Sequence, residues 1–288
     1  MGWQLLLILY LILTTATYLS RRQLAMSFAS HNRIVNAFSF VAAVYPVGLI
    51  VAAFNSPDLG IGWWNFLLLV IGGAIFPISY LLAYRANKDV DAGLYTIINN
   101  IAPVVSIILA TLWLNETLTG IQLLGAGIIL IATTVVTLPQ VGKHLVKNRH
   151  ALICAFVAVV LIGIGIVYER YMLTRIDFGA YLVYGWGLQT LWIVAFAWNQ
   201  RHTLKALKKP KMRKPLISYS LSLALRGICF VSALRLSGNA SFVVAFVSFM
   251  PVLIVLSAFF VLNEHDHLRL KLGGAALGVA GLLLLNLG

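Results

Sequence analysis

Two stretches of this chain match each other without a gap: residues 103–126 read PVVSIILATLWLNETLTGIQLLGA, and residues 251–274 read PVLIVLSAFFVLNEHDHLRLKLGG. Each begins with a proline, Pro103 or Pro251, and each carries an Asn-Glu pair whose glutamate, Glu116 or Glu264, follows that proline by 13 residues. A shared proline arises easily by chance, whereas a proline and an Asn-Glu pair at one constant offset do not. Self-similarity at a fixed spacing indicates an internal repeat, so the sequence predicts two copies of one structural unit.

The composition around these stretches is typical of a membrane protein. Of the 288 residues, 61% are hydrophobic and 10% are charged, and the mean hydropathy is +0.94. Soluble domains contain about 45–50% apolar and about 25% charged residues, so a soluble fold of this composition would lack polar surface. The formal net charge of +13 would suit a nucleic-acid-binding domain, but a chain this apolar excludes a soluble one. We therefore expect no nucleic-acid partner.

The apolar segments are long enough to cross a bilayer, which takes about 20 mainly apolar residues. Charged residues, Pro, Gly and Asn separate ten such segments: 2–20, 34–54, 62–86, 90–114, 119–138, 151–170, 179–199, 215–236, 239–262 and 268–287. The sequence thus predicts an all-α integral membrane protein of ten transmembrane helices in two five-helix repeats. Residues 1–138 form the first repeat, 139–150 a basic connecting loop and 151–288 the second repeat.

An odd number of helices per repeat has a consequence for topology. The second repeat must enter the membrane from the opposite side, which makes the two repeats inverted, a plan that recurs in secondary transporters. The loop at 55–61 has no Lys or Arg, whereas its counterpart at 201–214 has seven. Because cytoplasmic loops are enriched in Lys and Arg, this difference supports opposite orientations.

The distribution of positive charge also predicts the orientation of the whole chain. Of the 21 Lys and Arg residues, 17 fall on one side of the predicted bundle, three fall on the other, and Arg226 lies within a span. We therefore expect a multi-pass protein of the cell (inner) membrane with both termini extracytoplasmic. The basic loop from Arg201 to Lys214 is expected to face anionic membrane lipids.

The repeated signature resembles the EamA-type drug/metabolite transporters. A proline within a helix is followed by a terminal Asn-Glu pair and then by a Gly-rich helix, most clearly within Tyr80–Val136 and more weakly within Ile228–Leu284. The resemblance implies a permease or exporter of small organic metabolites, amino acids included, with no catalytic role. Members of that family commonly have cytoplasmic termini, which differs from the orientation that the charges of this chain predict.

Arg226 is the most informative single residue. It follows Lys214, at the membrane edge, by about 12 residues, or roughly 18 Å along a helix, which is close to the midplane of the bilayer. Arginine at that depth usually faces a polar cavity. One interpretation is that Arg226 binds a substrate carboxylate or phosphate, which a guanidinium can grip with two hydrogen bonds. The alternative is a structural contact with freed backbone carbonyls or with Glu169.

The third and fourth predicted spans, 62–86 and 90–114, carry further candidate substrate-binding residues: Tyr80, Tyr95 and Asn99. Tyr95, Asn99 and Pro103 are spaced by four and share a helix face, and Pro103 would leave the Asn99 carbonyl unpaired. These groups could line a solute site, or they could hold the helices together by hydrogen bonds. By the pseudo-symmetry of the repeats, the eighth and ninth predicted spans, 215–236 and 239–262, should face the same region, which makes Phe230 and Phe246 further candidates. An aromatic residue in such a chain is more often an apolar core residue.

The repeated residues themselves favour structural roles. Pro103 and Pro251 are candidate hinges, because a proline bends a helix. Glu116 and Glu264 lie at the ends of spans, where capping of the following helix or bracing of a tight connection explains them. The remaining acidic and histidine side chains lie in loops or near helix ends, with Glu169 the one candidate for a proton-coupling group. That inventory favours a facilitator or exchanger over a proton-coupled carrier.

The preferred hypothesis is therefore a secondary transporter of amino acids or other carboxylate-bearing solutes, working by alternating access as a monomer or homodimer. An exporter of drugs or organic cations is the alternative of the same fold. An intramembrane enzyme or a lipid-handling protein is the alternative of another class, but no HExxH or GxSxG motif is present. We expect no catalytic residue, bound metal or cofactor.

Overall fold

The protein is described by a computed structural model over residues 2–27, 32–90, 92–137, 149–207, 210–253 and 268–287. Regular structure in these residues is helical, without a β-strand, which confirms the predicted all-α class. The helices are α1 (Gly2–Ser27), α2 (Asn32–Ser39), α3 (Tyr45–Phe54), α4 (Gly62–Gly72), α5 (Ile75–Asp89), α6 (Ala92–Asn99), α7 (Ile101–Leu114), α8 (Gly120–Thr137), α9 (Arg149–Arg175), α10 (Phe178–Ala180), α11 (Trp186–Ala197), α12 (Leu204–Leu207), α13 (Pro210–Ser237), α14 (Ala240–Val247) and α15 (Leu268–Leu287).

Many of these helices are long and apolar enough to cross a membrane. Within the described ranges, six helical segments meet that criterion: Arg33–Phe54, Gly62–Ala86, Ile97–Leu114, Arg149–Arg175, Phe178–Thr203 and Met212–Ser237. Four shorter apolar helices of 10–17 residues accompany them: Gly2–Tyr18, Gly120–Val136, Ala240–Leu253 and Leu272–Leu287. The predicted basic loop at 201–214 is largely helical where it is described, while most of the connecting loop at 139–150 lies outside the described residues.

The chain folds into two compact units that differ from the two sequence repeats. The first unit comprises Met1–Pro77 and Tyr168–Leu236, and the second comprises Ile78–Val167 and Ser237–Gly288. Each unit therefore takes helices from both halves of the sequence. Because α9 begins in the second unit and ends in the first, a single long helix contributes to both.

Within the first unit, the predicted helix at 62–86 is interrupted. α4 ends at Gly72, and a turn at Gly73 and Ala74 precedes α5. The Ala74 amide donates to the Ile71 carbonyl at 3.2 Å instead of to the carbonyl of Val70. The indole of Trp192 donates to that freed Val70 carbonyl at 3.0 Å. Paired glycines are a common cause of such breaks, so Gly72-Gly73 was the available sequence signal.

In the second unit, the predicted span at 90–114 is likewise two helices. α6 ends at Asn99, a turn follows at Asn100, and Pro103 is the third residue of α7. A proline in the first turn of a helix removes no intrahelical hydrogen bond, so Pro103 lies just after the interruption instead of inside a continuous helix. Pro251 occupies the same place, because a turn at residues 248 and 249 ends α14 shortly before it.

In the second unit, the backbones of α8 and α15 approach each other closely. A side chain on Gly125 would meet the Gly281 carbonyl and the Leu285 amide, each 2.7 Å from the position of its Cβ. Only glycine permits this backbone contact between the two helices. This contact accounts for these glycines by packing inside one chain, in the way that small residues bring membrane helices together.

Glu116 caps a helix that is distant in sequence. Its Oε2 accepts a hydrogen bond of 2.6 Å from the Ala240 amide at the start of α14, where Asn239 is the N-cap. The next helix along the chain, α8, has its own capping box between Thr119 and Gln122. The carboxylate of Glu116 therefore satisfies the free amide of α14. Its counterpart Glu264 lies outside the described residues.

Candidate functional site

The first unit contains a polar interface between α1 and α13. One face of α1 is buried at intervals of three or four residues, and its members are Leu7, Leu11, Thr14, Thr17, Ser20 and Leu24. That spacing is the helical period of a face packed against a neighbour. The three central residues of this face carry hydroxyl groups, which require partners in a segment shielded from water.

Three contacts establish the register of α1 against α13. The hydroxyls of Ser20 and Ser218 are hydrogen-bonded at 2.9 Å, and Thr17 and Ser222 share a hydrogen bond of 3.0 Å. Further along, the rings of Tyr10 and Phe230 lie 5.2 Å apart. Residue numbers fall along α13 as they rise along α1, so the two helices run antiparallel.

Arg226 lies on α13 between two of these contacts, the Thr17–Ser222 hydrogen bond and the Tyr10–Phe230 ring contact. It follows Ser222 by one helical turn and precedes Phe230 by one turn, so the three side chains share a face of α13. On α1, the antiparallel register places Thr14 between Thr17 and Tyr10, at the level of Arg226. We call this pair of residues, Thr14 and Arg226, the Thr14–Arg226 level.

Both members of the Thr14–Arg226 level have unused hydrogen-bonding capacity. The Thr14 side chain is 3% exposed, and its hydroxyl oxygen has no hydrogen-bond partner. The half-buried Arg226 makes no hydrogen bond or ion pair with any part of the chain that the structure describes. A buried polar group without a partner is costly, and a guanidinium can donate five hydrogen bonds. The level is thus chemically suited to an anionic oxygen ligand.

The helices around Arg226 are firmly positioned. Tyr219, on α13, donates to the Asn36 side chain of α2 at 2.6 Å. The ring of Trp186, 3% exposed, packs on Gly227, where a Cβ would lie 3.2 Å from it. These contacts hold α13 against its neighbours on both sides of position 226.

Glu169 is not the partner of Arg226. It is 6% exposed, and its Oε1 accepts a hydrogen bond of 2.8 Å from the Tyr181 hydroxyl, its one hydrogen bond within the described ranges. Of the two structural roles that the sequence left open for Arg226, the ion pair with Glu169 is therefore not realised in this structure.

The remaining candidate residues are divided between the two units. Phe230 belongs to the first unit, whereas Tyr80, Tyr95, Asn99 and Phe246 belong to the second. Asn99 is half-buried, and its side chain makes no hydrogen bond within the described part of the chain. Phe246 is 6% exposed, which is a core position on α14.

Two contacts at or beside these candidates were not anticipated. The amide of Asn100, not that of Asn99, crosses to α8 and donates to the Thr134 hydroxyl at 3.2 Å. Tyr95 packs against an apolar cluster that includes Ala86 and Ala155. Asn100 thus bonds to α8, and Tyr95 packs beside an apolar cluster, both within the second unit.

Sequence reasoning also missed Thr14 and Tyr181. The threonines of the first span were visible at positions 14, 15 and 17, and the interval between Thr14, Thr17 and Ser20 could have marked a polar helix face. No comparable signal distinguished Tyr181 from the other tyrosines. No group of three or more His, Cys, Asp or Glu residues in the described ranges is placed to hold a metal ion.

Comparison with known proteins identifies the chain as a whole. The model of the EamA-like transporter family matches residues 1–138 and, a second time, residues 149–287. A solved structure, titled only as the crystal structure of a protein, aligns with a TM-score of 0.70 over 96% of this chain and 96% of its own, at 15% identity. At that identity the likeness shows the fold alone. No curated protein matches this sequence significantly.

Proposed function

Because this chain belongs to the EamA-like transporter family, we propose that it is a secondary transporter that moves small carboxylate-bearing metabolites, amino acids among them. The family and the long apolar helices make it an integral membrane protein of the transporter class. Binding and release would occur by alternating access, in which the same site is exposed first to one side of the membrane and then to the other.

The proposed architecture is ten transmembrane helices in two inverted five-helix repeats. Two successive family matches, together with six membrane-length helices and four shorter apolar helices in the described ranges, support this arrangement. The charge distribution supports an inner-membrane protein with extracytoplasmic termini. The interrupted helices before Pro103 and Pro251 are the proposed bending points, because a break needs less distortion than a continuous helix.

The observation that carries the substrate class is the unused hydrogen-bonding capacity of the Thr14–Arg226 level. A carboxylate accepts two parallel hydrogen bonds from one guanidinium, and a threonine hydroxyl can donate a third. Such a ligand would satisfy both groups at once. A cationic solute would leave Arg226 unpaired and would be repelled by it.

The other predicted contacts lie beside Arg226 or in the second unit. Phe230 lies one turn beyond Arg226 and packs against the ring of Tyr10 at a tilt of 38°, where it could contact the apolar part of a solute. Tyr80, Tyr95, Asn99 and Phe246 remain solute contacts proposed from the sequence repeat. The basic segment from Arg201 to Lys214 remains the proposed contact with anionic lipid.

The experiment is solute counterflow into proteoliposomes that contain the purified full-length protein. Radiolabelled phenylalanine, glutamate and succinate are the carboxylate probes, and labelled tetraphenylphosphonium is the cation probe. Wild type is expected to exchange at least one carboxylate but not the cation, and Arg226→Ala is expected to abolish that exchange.

A matched control separates the site from a general effect of charge. Arg175 is an exposed arginine of the same unit, and it bonds to Asn65 and Tyr171. Arg175→Ala removes the same charge without touching the Thr14–Arg226 level, so it should exchange like wild type. Carboxylate exchange by folded Arg226→Ala at the wild-type rate would refute the proposed site, and exchange of the cation alone would favour the organic-cation exporter.

A further inference from the structure

A small cavity lies where the break between α4 and α5 meets α9 and the start of the Phe178–Thr203 segment. Its volume of about 10 Å³ is close to the space that one water molecule needs. Its polar lining comes from Glu169, Tyr168, Tyr181 and Gln189. All of these residues belong to the first unit.

The cavity presents unused polar groups to that space. One carboxylate oxygen of Glu169 accepts a hydrogen bond of 2.8 Å from the Tyr181 hydroxyl. Its second oxygen and the side-chain amide of Gln189 have no hydrogen-bond partner among the residues that the structure describes. The Tyr168 hydroxyl donates instead to the Leu68 carbonyl at 2.8 Å. A water molecule in the cavity could therefore bridge Glu169 and Gln189.

The groups that face Glu169 supply no compensating positive charge. Tyr168 on its own helix and Tyr181 on the neighbouring segment are titratable, and α4 and α5 contribute Leu69, Gly72, Gly73 and Phe76. No Lys, Arg or His belongs to this lining within the described ranges. An enclosed carboxylate without a counter-ion is disfavoured by desolvation, whereas the Tyr181 hydrogen bond favours it. The Tyr181 hydroxyl can donate to either the ionised or the protonated carboxyl of Glu169, so this hydrogen bond does not require one of the two forms.

From this geometry we infer that Glu169 is a proton-binding site that couples solute transport to a pH gradient. The inference rests on the transporter function proposed above and adds its driving ion. In one state the carboxylate accepts the Tyr181 hydrogen bond. In the other it holds a proton taken from a hydronium ion, which leaves as water. The cavity has no room for an organic solute, so the proton site is separate from the Thr14–Arg226 level.

The elements around the cavity are suited to respond to that change of charge. α4 ends at Gly72, beside the cavity, and residues Tyr181–Gly185 form a π-helical segment. Helix breaks and π-helical segments are places where a helix departs from its regular hydrogen bonding. Neutralising Glu169 removes the cost of an enclosed charge, and this changes the relative free energies of the conformations that differ in its exposure.

The test uses two measurements on the reconstituted full-length protein, wild type and Glu169→Gln. The first is counterflow of labelled phenylalanine, glutamate and succinate without a pH gradient. The second is accumulation of the same solutes under an imposed pH gradient of each polarity. Wild type should accumulate solute above equilibrium under one polarity. Glu169→Gln should retain counterflow within about threefold but lose at least tenfold of the gradient-driven accumulation.

An infrared titration provides a readout that does not depend on transport. The carboxyl C=O band that appears as the pH falls should lose one component in Glu169→Gln relative to wild type. Asp58→Asn, which removes an exposed carboxylate from the loop that follows α3, is the matched control for transport and should behave like wild type in both flux measurements.

The outcomes distinguish the two proposals. If wild type exchanges none of the solutes, the transporter proposal for these solutes fails, while the infrared titration still tests proton binding at Glu169. If wild type exchanges solute but ignores pH gradients of both polarities, the coupling inference is overturned and the transporter proposal stands. Retained gradient-driven accumulation in Glu169→Gln, or loss of counterflow together with it, would also overturn the coupling assignment.

Discussion

The Thr14–Arg226 level and the Glu169 cavity lie in the same compact unit and carry side chains of opposite charge, which differ in burial and in hydrogen bonding. Glu169 is almost fully buried, and its carboxylate accepts a hydrogen bond from the Tyr181 hydroxyl. Arg226 is half-buried and has no hydrogen-bonding partner in the described part of the chain. The two side chains do not neutralise each other, although each would be an adequate counter-ion.

The size of the adjoining space separates their functions. Beside Glu169 there is room for about one water molecule, so a proton or water is the largest partner that it can take in this conformation. Arg226, on α13, lies at the level of Thr14 on α1, whose hydroxyl is also unsatisfied. Together the two side chains can satisfy a carboxylate. The residue expected to bind the solute and the residue expected to bind the proton can therefore be tested separately.

The largest effect is expected from substitutions of Arg226. Arg226→Lys keeps the charge but loses the planar pair of donors, and a charge-assisted hydrogen bond contributes about 1.5–3 kcal/mol. We expect the counterflow KM for a carboxylate to rise roughly 10- to 100-fold in Arg226→Lys. In Arg226→Gln it should rise beyond the measurable range. Equal KM values for lysine and glutamine would show that neither charge nor geometry at this position binds the solute.

The next largest effect is expected on thermal stability, when alanine replaces glycine beside the Glu169 cavity or beside Arg226. A Cβ on Gly72, beside the Glu169 cavity, would collide with the Tyr168 ring, whereas a Cβ on Gly227, beside Arg226, would lie 3.2 Å from Trp186. Overpacking costs about 1–3 kcal/mol, and replacing glycine by alanine inside a helix contributes about 1 kcal/mol of stability. Gly72→Ala should therefore lower the melting temperature in detergent, while Gly227→Ala should leave it nearly unchanged. Equal melting temperatures would contradict the tighter packing at the cavity.

The helical class of the fold was accessible from sequence because hydropathy and span length are local properties. The breaks inside the spans were harder to predict. α6 ends at Asn99, and the turn at Asn100 lies three residues before Pro103, although a proline in the first turn of α7 requires no such break. The Gly72-Gly73 break depends on the Trp192 indole that satisfies the freed Val70 carbonyl, and this partner lies far away in sequence.

The candidate site shows the same limit. The depth of Arg226 could be computed from the distance to Lys214 along one helix. The register that brings Thr14 to its level depends on contacts between α1 and α13, which no spacing within either helix reveals. Glu169 was recognised as a potential proton-binding group, but its enclosure arises from α4, α5 and the Tyr181–Gly185 segment.

A smaller effect is expected from removing the Thr14 hydroxyl. Thr14→Val keeps the branched shape and removes one hydrogen bond, which contributes about 1 kcal/mol, so the counterflow KM for a carboxylate should rise about fivefold. Thr17→Val is the matched control, because the Thr17 hydroxyl bonds to Ser222 within the protein. That variant should lower thermal stability without changing KM. Equal KM values for the two variants would remove Thr14 from the proposed site.

The smallest effect is expected at Glu116, whose carboxylate differs from that of Glu169 because a backbone amide satisfies it. Glu116→Gln retains an acceptor for the Ala240 amide but loses the negative charge at the N-terminus of α14, at a cost of about 0.3–1 kcal/mol. We expect a small decrease in melting temperature and an unchanged response of transport to the pH gradient. If Glu116→Gln abolished that response while Glu169→Gln preserved it, the coupling proton would belong at the cap of α14, and the enclosed carboxyl beside Tyr181 would be a structural group.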